Sequence, residues 1–156
     1  MKARLWLPGA LAVFAAGCAS PPPAPAAKAE VEKPPDETRR FPPSDRVETH
    51  VVAAALLDKP FMPGGTLAHY KKGPLEYDMF VARLETPLAA ALLLPDWKNA
   101  LTDAHVVATF GGYFGSDRGR PVFVFAKGPW IAGIAGLPRQ QADLEARTLA
   151  ARLDER

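Results

Sequence analysis

Two uninterrupted apolar runs near the C-terminal end constrain the fold more than any other feature of the sequence. They lie at residues 122–125 (VFVF) and 130–135 (WIAGIA), with a polar turn at Lys127-Gly128-Pro129. Neither run alternates with polar residues, so both faces of each strand must be covered by other parts of the chain. The two runs are therefore predicted to form a hairpin at the centre of a sheet.

Further strands and helices follow from the same kind of pattern. Strands are predicted at residues 47–57, 66–71, 75–84 and 105–110, and the second and third of these are predicted to form a hairpin around the turn at residues 71–74 (KKGP). Thr86-Pro87 predicts a helix start, with Thr86 as N-cap and Pro87 at the first helical position, and Pro95-Asp96 is expected to end that helix. A last helix is predicted after Pro138, because apolar residues recur there at offsets of three and four: Ala142, Ala146, Leu149, Ala150 and Leu153.

This order predicts an α+β fold. We expect an antiparallel sheet of about six strands in a βββα-βββα order, with both helices packed on one face. Gly133 and Ala135 lie on the same face of their strand and are small, so the last helix is expected to approach the sheet there.

The N-terminal third has a different composition. Residues 19–44 hold eight of the seventeen prolines and little that is apolar, which predicts a disordered or polyproline-like tether. Residues 1–17 combine a basic start with a short apolar segment, as a secretory signal peptide does. The predicted organisation is a signal peptide at 1–17, a lipidated Cys18 and tether at 18–44, and one domain at 45–156.

Cys18 is the single cysteine of the chain and follows the apolar segment directly. The sequence Ala15-Ala16-Gly17-Cys18 resembles the lipobox of bacterial lipoproteins, although Ala15 stands where leucine is usual. The resemblance implies acylation of Cys18 and anchoring in membrane lipid, with the periplasmic side of the outer membrane favoured because Ala19, and not aspartate, follows. The alternative is ordinary cleavage after Ala19, which would give a soluble secreted protein.

The charge balance excludes one class of partner. The chain has nineteen basic and seventeen acidic residues, and two of the basic ones, Lys2 and Arg4, lie in the predicted signal peptide. Without these two, seventeen basic residues face seventeen acidic ones. A neutral protein has no electrostatic basis for binding nucleic acid.

Residues 111–120 (GGYFGSDRGR) are predicted to form a glycine-rich loop. Its arginines could bind an anion, and the candidate ligand-binding residues are Tyr113, Ser116, Arg118 and Arg120, with Trp130 as a neighbouring aromatic. The loop lacks the lysine and the spacing of a phosphate-binding loop, and Ser116 has no GxSxG surroundings that would mark a nucleophile. A plain polar hairpin loop is the alternative interpretation.

The globular part also resembles a family of exported bacterial domains of unknown function. The similarity is carried by residues 76–80 (EYDMF), 87–90 (PLAA) and 125–130 (FAKGPW). It implies a fold and no activity. We therefore expect a membrane-anchored envelope lipoprotein that binds or assembles with an envelope protein, without catalysis or cofactor; the alternative is a small envelope enzyme or ligand-binding domain that uses residues 111–120.

Overall fold

The computed structural model describes residues 32–154. The predicted signal peptide, Cys18 and the first part of the predicted tether lie outside the described residues. Seven strands and two helices follow along the chain: β1 (Arg46–Ala54), β2 (Pro63–Lys72), β3 (Leu75–Arg83), α1 (Pro87–Ala100), β4 (Thr102–Val107), β5 (Gly112–Asp117), β6 (Arg120–Lys127), β7 (Trp130–Ala135) and α2 (Arg139–Ala150).

The strands form a single sheet in the order β1-β2-β3-β7-β6-β5-β4, and all neighbours are antiparallel. The α+β class is confirmed, and β7 lies at the centre of the sheet beside β6, as the two apolar runs predict. Two meanders, β1–β3 and β4–β7, meet where β3 pairs with β7. This junction makes one continuous sheet from two halves of the domain.

The predicted count of six strands and the βββα-βββα order are wrong, because residues 112–117 form β5. Gly112 and Gly115 make this segment resemble a loop in the sequence, but in the structure both let the backbone of a neighbouring strand approach closely. A Cβ atom on Gly112 would lie 2.1 Å from the carbonyl oxygen of Val124, and one on Gly115 would lie 2.9 Å from that of Thr102. Glycine is required here by the neighbouring backbone, and not by a turn.

The two helices cover opposite faces of the sheet, so the prediction that both pack on one face is wrong. We call these faces the α1 face and the α2 face. Along each central strand, apolar side chains point alternately to the α1 face and to the α2 face, so each central strand is covered on both sides. The α1 face includes Phe80, Trp97, Val122, Val124 and Ile131, and the α2 face includes Met79, Phe123, Ile134, Ala146 and Leu149.

The space above Gly133 is filled by an aromatic ring and not by the last helix. A Cβ atom on Gly133 would lie 2.5 Å from Cζ of Phe80, a residue of the α1 face. The apolar stripe of α2 itself is confirmed: Ala142, Ala146 and Leu149 are fully buried, and Leu153 beyond the helix is 3% exposed. This stripe packs on the α2 face, on the side of the sheet opposite Phe80.

Helix α1 begins as predicted but does not end at Pro95. The Thr86 side chain accepts a hydrogen bond from the Ala89 N–H at 3.1 Å, which caps the first turn. The helix then runs through Pro95 to Ala100 and buries Trp97 completely. Proline removes one backbone hydrogen bond, and burial of the Trp97 side chain offsets this loss. Among residues 32–154, neither helix is long and apolar enough to cross a membrane.

The end of the predicted tether packs on the domain. Thr38–Arg40 form a short 3-10 turn, and the ring of Phe41 is 1% exposed within the core of the α2 face. The Arg40 guanidinium donates to the Arg152 carbonyl at 3.0 Å and pairs with Asp154 at 2.8 Å. In the structure, contacts with the domain therefore begin before residue 45, because Phe41 supplies apolar surface within a proline-rich segment.

Candidate functional site

The structure separates some of the predicted site residues. Residues 111–120 form β5 and a tight turn at Arg118-Gly119. Tyr113 lies on the α1 face, and Ser116 lies on the opposite face because side chains alternate along a strand. Arg120 and Trp130 lie at opposite ends of the β6–β7 hairpin, about 23 Å apart for seven residues of extended chain. The structure thus brings only Arg118 and Arg120 together.

Trp130 has a structural environment. Its side chain is fully buried, and its indole N–H donates to the Asp154 carboxylate at 3.0 Å. The guanidinium of Arg40 lies over the ring, 4.9 Å from its centroid. Trp130 therefore links the N-terminal and C-terminal ends of the described chain and is not accessible to a ligand.

Arg118 and Arg120 border a cavity at one corner of the α1 face, which we call the corner basin. Its volume is about 270 Å³. The segment that leads from β1 to β2 forms one wall, and the β5–β6 turn forms the other. Four charged side chains surround an apolar floor: Asp58, Asp117, Arg118 and Arg120 lie around Leu57, Val122 and Ala135.

One carboxylate of the corner basin is held by a lysine. The Lys59 Nζ lies 2.7 Å from Oδ1 of Asp117, and the two side chains are only 10% and 20% exposed. The same ammonium lies 5.9 Å from the centroid of the Trp97 ring. This pair joins the β1–β2 connection to β5 and to α1, so it fixes the width of the basin.

One guanidinium of the basin is held by a carboxylate. Nη2 of Arg120 lies 2.7 Å from Oδ2 of Asp78 and donates to the carbonyl oxygen of Ala135 at 3.1 Å. The other carboxylate oxygen of Asp78 lies 2.7 Å from Nδ1 of His69. Arg120 is therefore held in place as a wall of the basin, and its charge is paired, while its side chain remains 45% exposed.

Asp58 and Arg118 differ from the other two charged residues. Both side chains are exposed, and neither has an ion-pair or hydrogen-bond partner among residues 32–154. Both have a left-handed backbone, with φ of 57° and 50°, and so has Leu57 with φ of 57°. Such conformations cost about 1–3 kcal/mol each and are concentrated at functional sites. The strain is greatest for leucine, whose side chain rarely accepts this backbone.

The histidines do not form a common site. His69 is paired with Asp78, and His50 Nε2 lies 3.2 Å from Oε1 of Glu48. Within the described part of the chain, no group of three or more His, Cys, Asp and Glu side chains could hold a metal ion. Ser116 and His69 lie on opposite faces of the sheet, so this serine and this histidine cannot act as nucleophile and base.

A second surface lies on the outer side of α1. Leu88, Ala91, Leu92 and Pro95 are exposed and follow one another at helical spacing; we call them the α1 stripe. Leu88 is 68% exposed and Leu92 is 62% exposed. The opposite side of α1 packs on the sheet, so the helix is apolar on both sides from Leu88 to Pro95, and its polar residues Asp96, Lys98 and Asn99 are confined to the last turn.

The sequence did not indicate the wall of the corner basin that the β1–β2 connection forms. Asp58 and Lys59 come from the β1–β2 connection, some 60 residues before Arg118, and no local pattern marks them. Comparison of the chain with known protein families, with curated proteins and with solved structures gives no match.

Proposed function

We propose that the protein is a lipid-anchored component of the bacterial cell envelope, whose domain is a non-enzymatic binding module. The anchor is Cys18, and the signal-peptide pattern before it and the proline-rich segment after it support this role. The bound group is a small zwitterion of the α-amino acid type, which the corner basin holds between Arg118 and Asp58.

The observation that carries this proposal is the division of charge within the basin. Asp117 and Arg120 are each neutralised by a partner outside the cavity. One guanidinium and one carboxylate remain, on Arg118 and Asp58. A ligand with a carboxylate and an ammonium group satisfies both, through charge-assisted hydrogen bonds that are about twice as strong as neutral ones.

The size and the floor of the basin support a small ligand. Its 270 Å³ fall just below the range of about 300–1,000 Å³ that is usual for drug-sized molecules. Leu57, Val122 and Ala135 offer apolar contact to an aliphatic side chain. Both oxygens of Asp78 are engaged, one by Arg120 and one by His69, so this carboxylate holds Arg120 in the wall of the basin.

Three related probes test the ligand. We expect L-leucine to bind the full-length protein in detergent at least tenfold more tightly than N-acetyl-L-leucine, which lacks the ammonium, or L-leucinamide, which lacks the carboxylate. Isothermal titration calorimetry measures all three. Arg118→Gln and Asp58→Asn should each lower the affinity for L-leucine at least tenfold, whereas Arg139→Gln, an exposed arginine on α2, should not. Equal binding of the three probes, or none by L-leucine, would refute the ligand.

The anchor has a separate test. Cys18→Ala should abolish labelling with palmitate and leave the precursor uncleaved. Normal processing of this variant would mean ordinary signal cleavage and a soluble secreted protein. Because the calorimetry uses detergent-solubilised protein, failure of the anchor and failure of the ligand can be distinguished.

A further inference from the structure

We propose that the α1 stripe binds the α1 stripe of a second copy of this chain, with the two helices antiparallel across a twofold axis. The inference concerns a surface on the outer side of α1, away from the corner basin. It is independent of the ligand proposed above. It rests on the proposed lipid anchor only for the strength of the association.

The stripe is symmetric about its own midpoint. Leu88 and Pro95 lie at equal distances from the point between Ala91 and Leu92. An antiparallel copy therefore places Leu88 against Pro95 of the second copy, and it brings the two copies of Leu92 together on one side of the twofold axis. A twofold interface requires this reciprocity: if Leu88 of one copy contacts Pro95 of the second, Pro95 of the first must contact Leu88 of the second. The two copies of Ala91 lie on the other side of the axis, where their small side chains let the helices approach closely.

The charges at the two ends of the helix obey the same symmetry. Glu85 precedes the N-cap, Lys98 lies in the last turn, and both are exposed. They lie the same number of residues before and after the midpoint of the stripe. Neither has an ion-pair partner among the described residues. Antiparallel pairing places Glu85 of each copy near Lys98 of the other, whereas parallel pairing would place like charges together.

The interface is small. A standard interface uses about 20–30 residues on each side, and the stripe with its flanking charges offers six. The dimer is therefore weak in dilute solution. Anchoring through Cys18 would confine the copies to one membrane surface and raise their effective concentration, which favours the second contact without any additional area.

Disulfide cross-linking measures the pairing directly. Antiparallel helices 8–10 Å apart, with Cα atoms about 2.3 Å from each axis, bring directly facing Cα atoms to about 3.4–5.4 Å, and the upper part of this range is one that a disulfide can bridge. In oxidised membranes, Leu92→Cys should form a covalent dimer, since its two copies are offset by about one residue, or 1.5 Å, along the axis. Leu88→Cys should not, because its copies are about seven residues apart, or roughly 10 Å.

Two controls make the result specific. Leu144→Cys on α2 is 64% exposed, close to the 62% of Leu92, and should give at least tenfold less dimer. A mixture of Leu88→Cys and Pro95→Cys chains should cross-link with each other although neither does so alone. The same experiment on purified protein at high concentration separates the pairing from the anchor.

Charge exchange tests the orientation. Glu85→Lys or Lys98→Glu should each reduce the Leu92→Cys cross-link several-fold, and the two together should restore it. The proposal is overturned if Leu92→Cys gives no more dimer than Leu144→Cys both in membranes and at high concentration. It is also overturned if Leu88→Cys cross-links to itself as readily as Leu92→Cys, since this would indicate parallel or random contact.

Discussion

Replacing Trp97 by alanine tests whether α1 continues past Pro95. The Trp97 side chain is fully buried and stacks on Phe80 with a centroid distance of 5.8 Å. It meets the edge of Phe61 at 5.5 Å, and its indole N–H donates to Sδ of Met62 at 3.2 Å. The last two residues belong to the connection that walls the corner basin, so Trp97 supports the site as well as the core.

The expected loss follows from this environment. Removal of a buried tryptophan costs about 3–5 kcal/mol, out of a total free energy of unfolding of about 5–15 kcal/mol. With an m value of about 2 kcal/mol/M, the urea midpoint falls by roughly 1.5–2.5 M. Trp97→Phe keeps an aromatic ring beside Phe80 and loses the N–H donor, for which we expect about 1 kcal/mol.

Urea denaturation followed by circular dichroism measures these changes, since the tryptophan signal is altered by the substitution itself. Asn99→Ala, at an exposed position of the same helix, should change the free energy of unfolding by no more than about 0.5 kcal/mol. A loss for Trp97→Ala of the same size as for Asn99→Ala would refute the reasoning. It would mean that the helix ends at Pro95 and that the indole lies in water.

Three further predictions concern the sheet, the basin and alkaline pH. Gly133→Ala would place a Cβ atom 2.1 Å from a carbonyl oxygen of the neighbouring strand and should lower the free energy of unfolding by about 2–3 kcal/mol. Gly119→Ala, with open space around it, should cost about 1 kcal/mol through its φ alone. Equal urea midpoints for the two variants would contradict the steric argument. Asp117→Asn leaves the ammonium of Lys59 buried without its partner and should lower the free energy of unfolding by about 3 kcal/mol in the same assay. A urea midpoint like that of the unchanged protein would show that the Lys59–Asp117 pair is solvated. Burial raises the pKa of Tyr70 from 10.0 to about 12, so the contribution of Tyr70 to stability is complete below about pH 10 and is lost as pH rises towards 12, because the unfolded chain releases this proton first. Tyr70→Phe should therefore reduce the fall of the urea midpoint between pH 9 and 11. An unchanged fall would mean that other groups cause it.

Local signals in the sequence predicted local structure well. The β2–β3 hairpin, the β6–β7 hairpin, the Thr86 cap and the buried stripe of α2 all depend on residues within about a dozen positions of one another. Each has a physical cause that the sequence displays directly, such as a turn residue or an apolar periodicity. These elements were placed without knowledge of the rest of the chain.

The arrangement of the helices depended on contacts that the sequence does not display. The requirement that both faces of β6 and β7 be covered was correct, and it is incompatible with two helices on one face. The space above Gly133 could be assigned only once Phe80 was known to fill it. Strand β5 was missed for a related reason, because the demand for glycine at position 112 comes from Val124 on the next strand.

The candidate site was half predictable. Arg118 and Arg120 lie in the segment that sequence reasoning selected, although the selected loop is a strand and a turn. Asp58 joins them through the fold alone. The α1 stripe could not be read from the sequence, because residues 88–94 are apolar throughout and no polar side shows which residues face the sheet.

The junction between β3 and β7 has a consequence for the order in which the protein folds. β3 ends at Arg83, and its partner on that edge begins only at Trp130, so the first meander keeps an open, apolar edge until almost the whole chain is present. Pairing over such a sequence distance is slow, and an open edge invites pairing with other chains. Truncation before β7 should therefore yield an aggregating fragment and not a smaller folded domain.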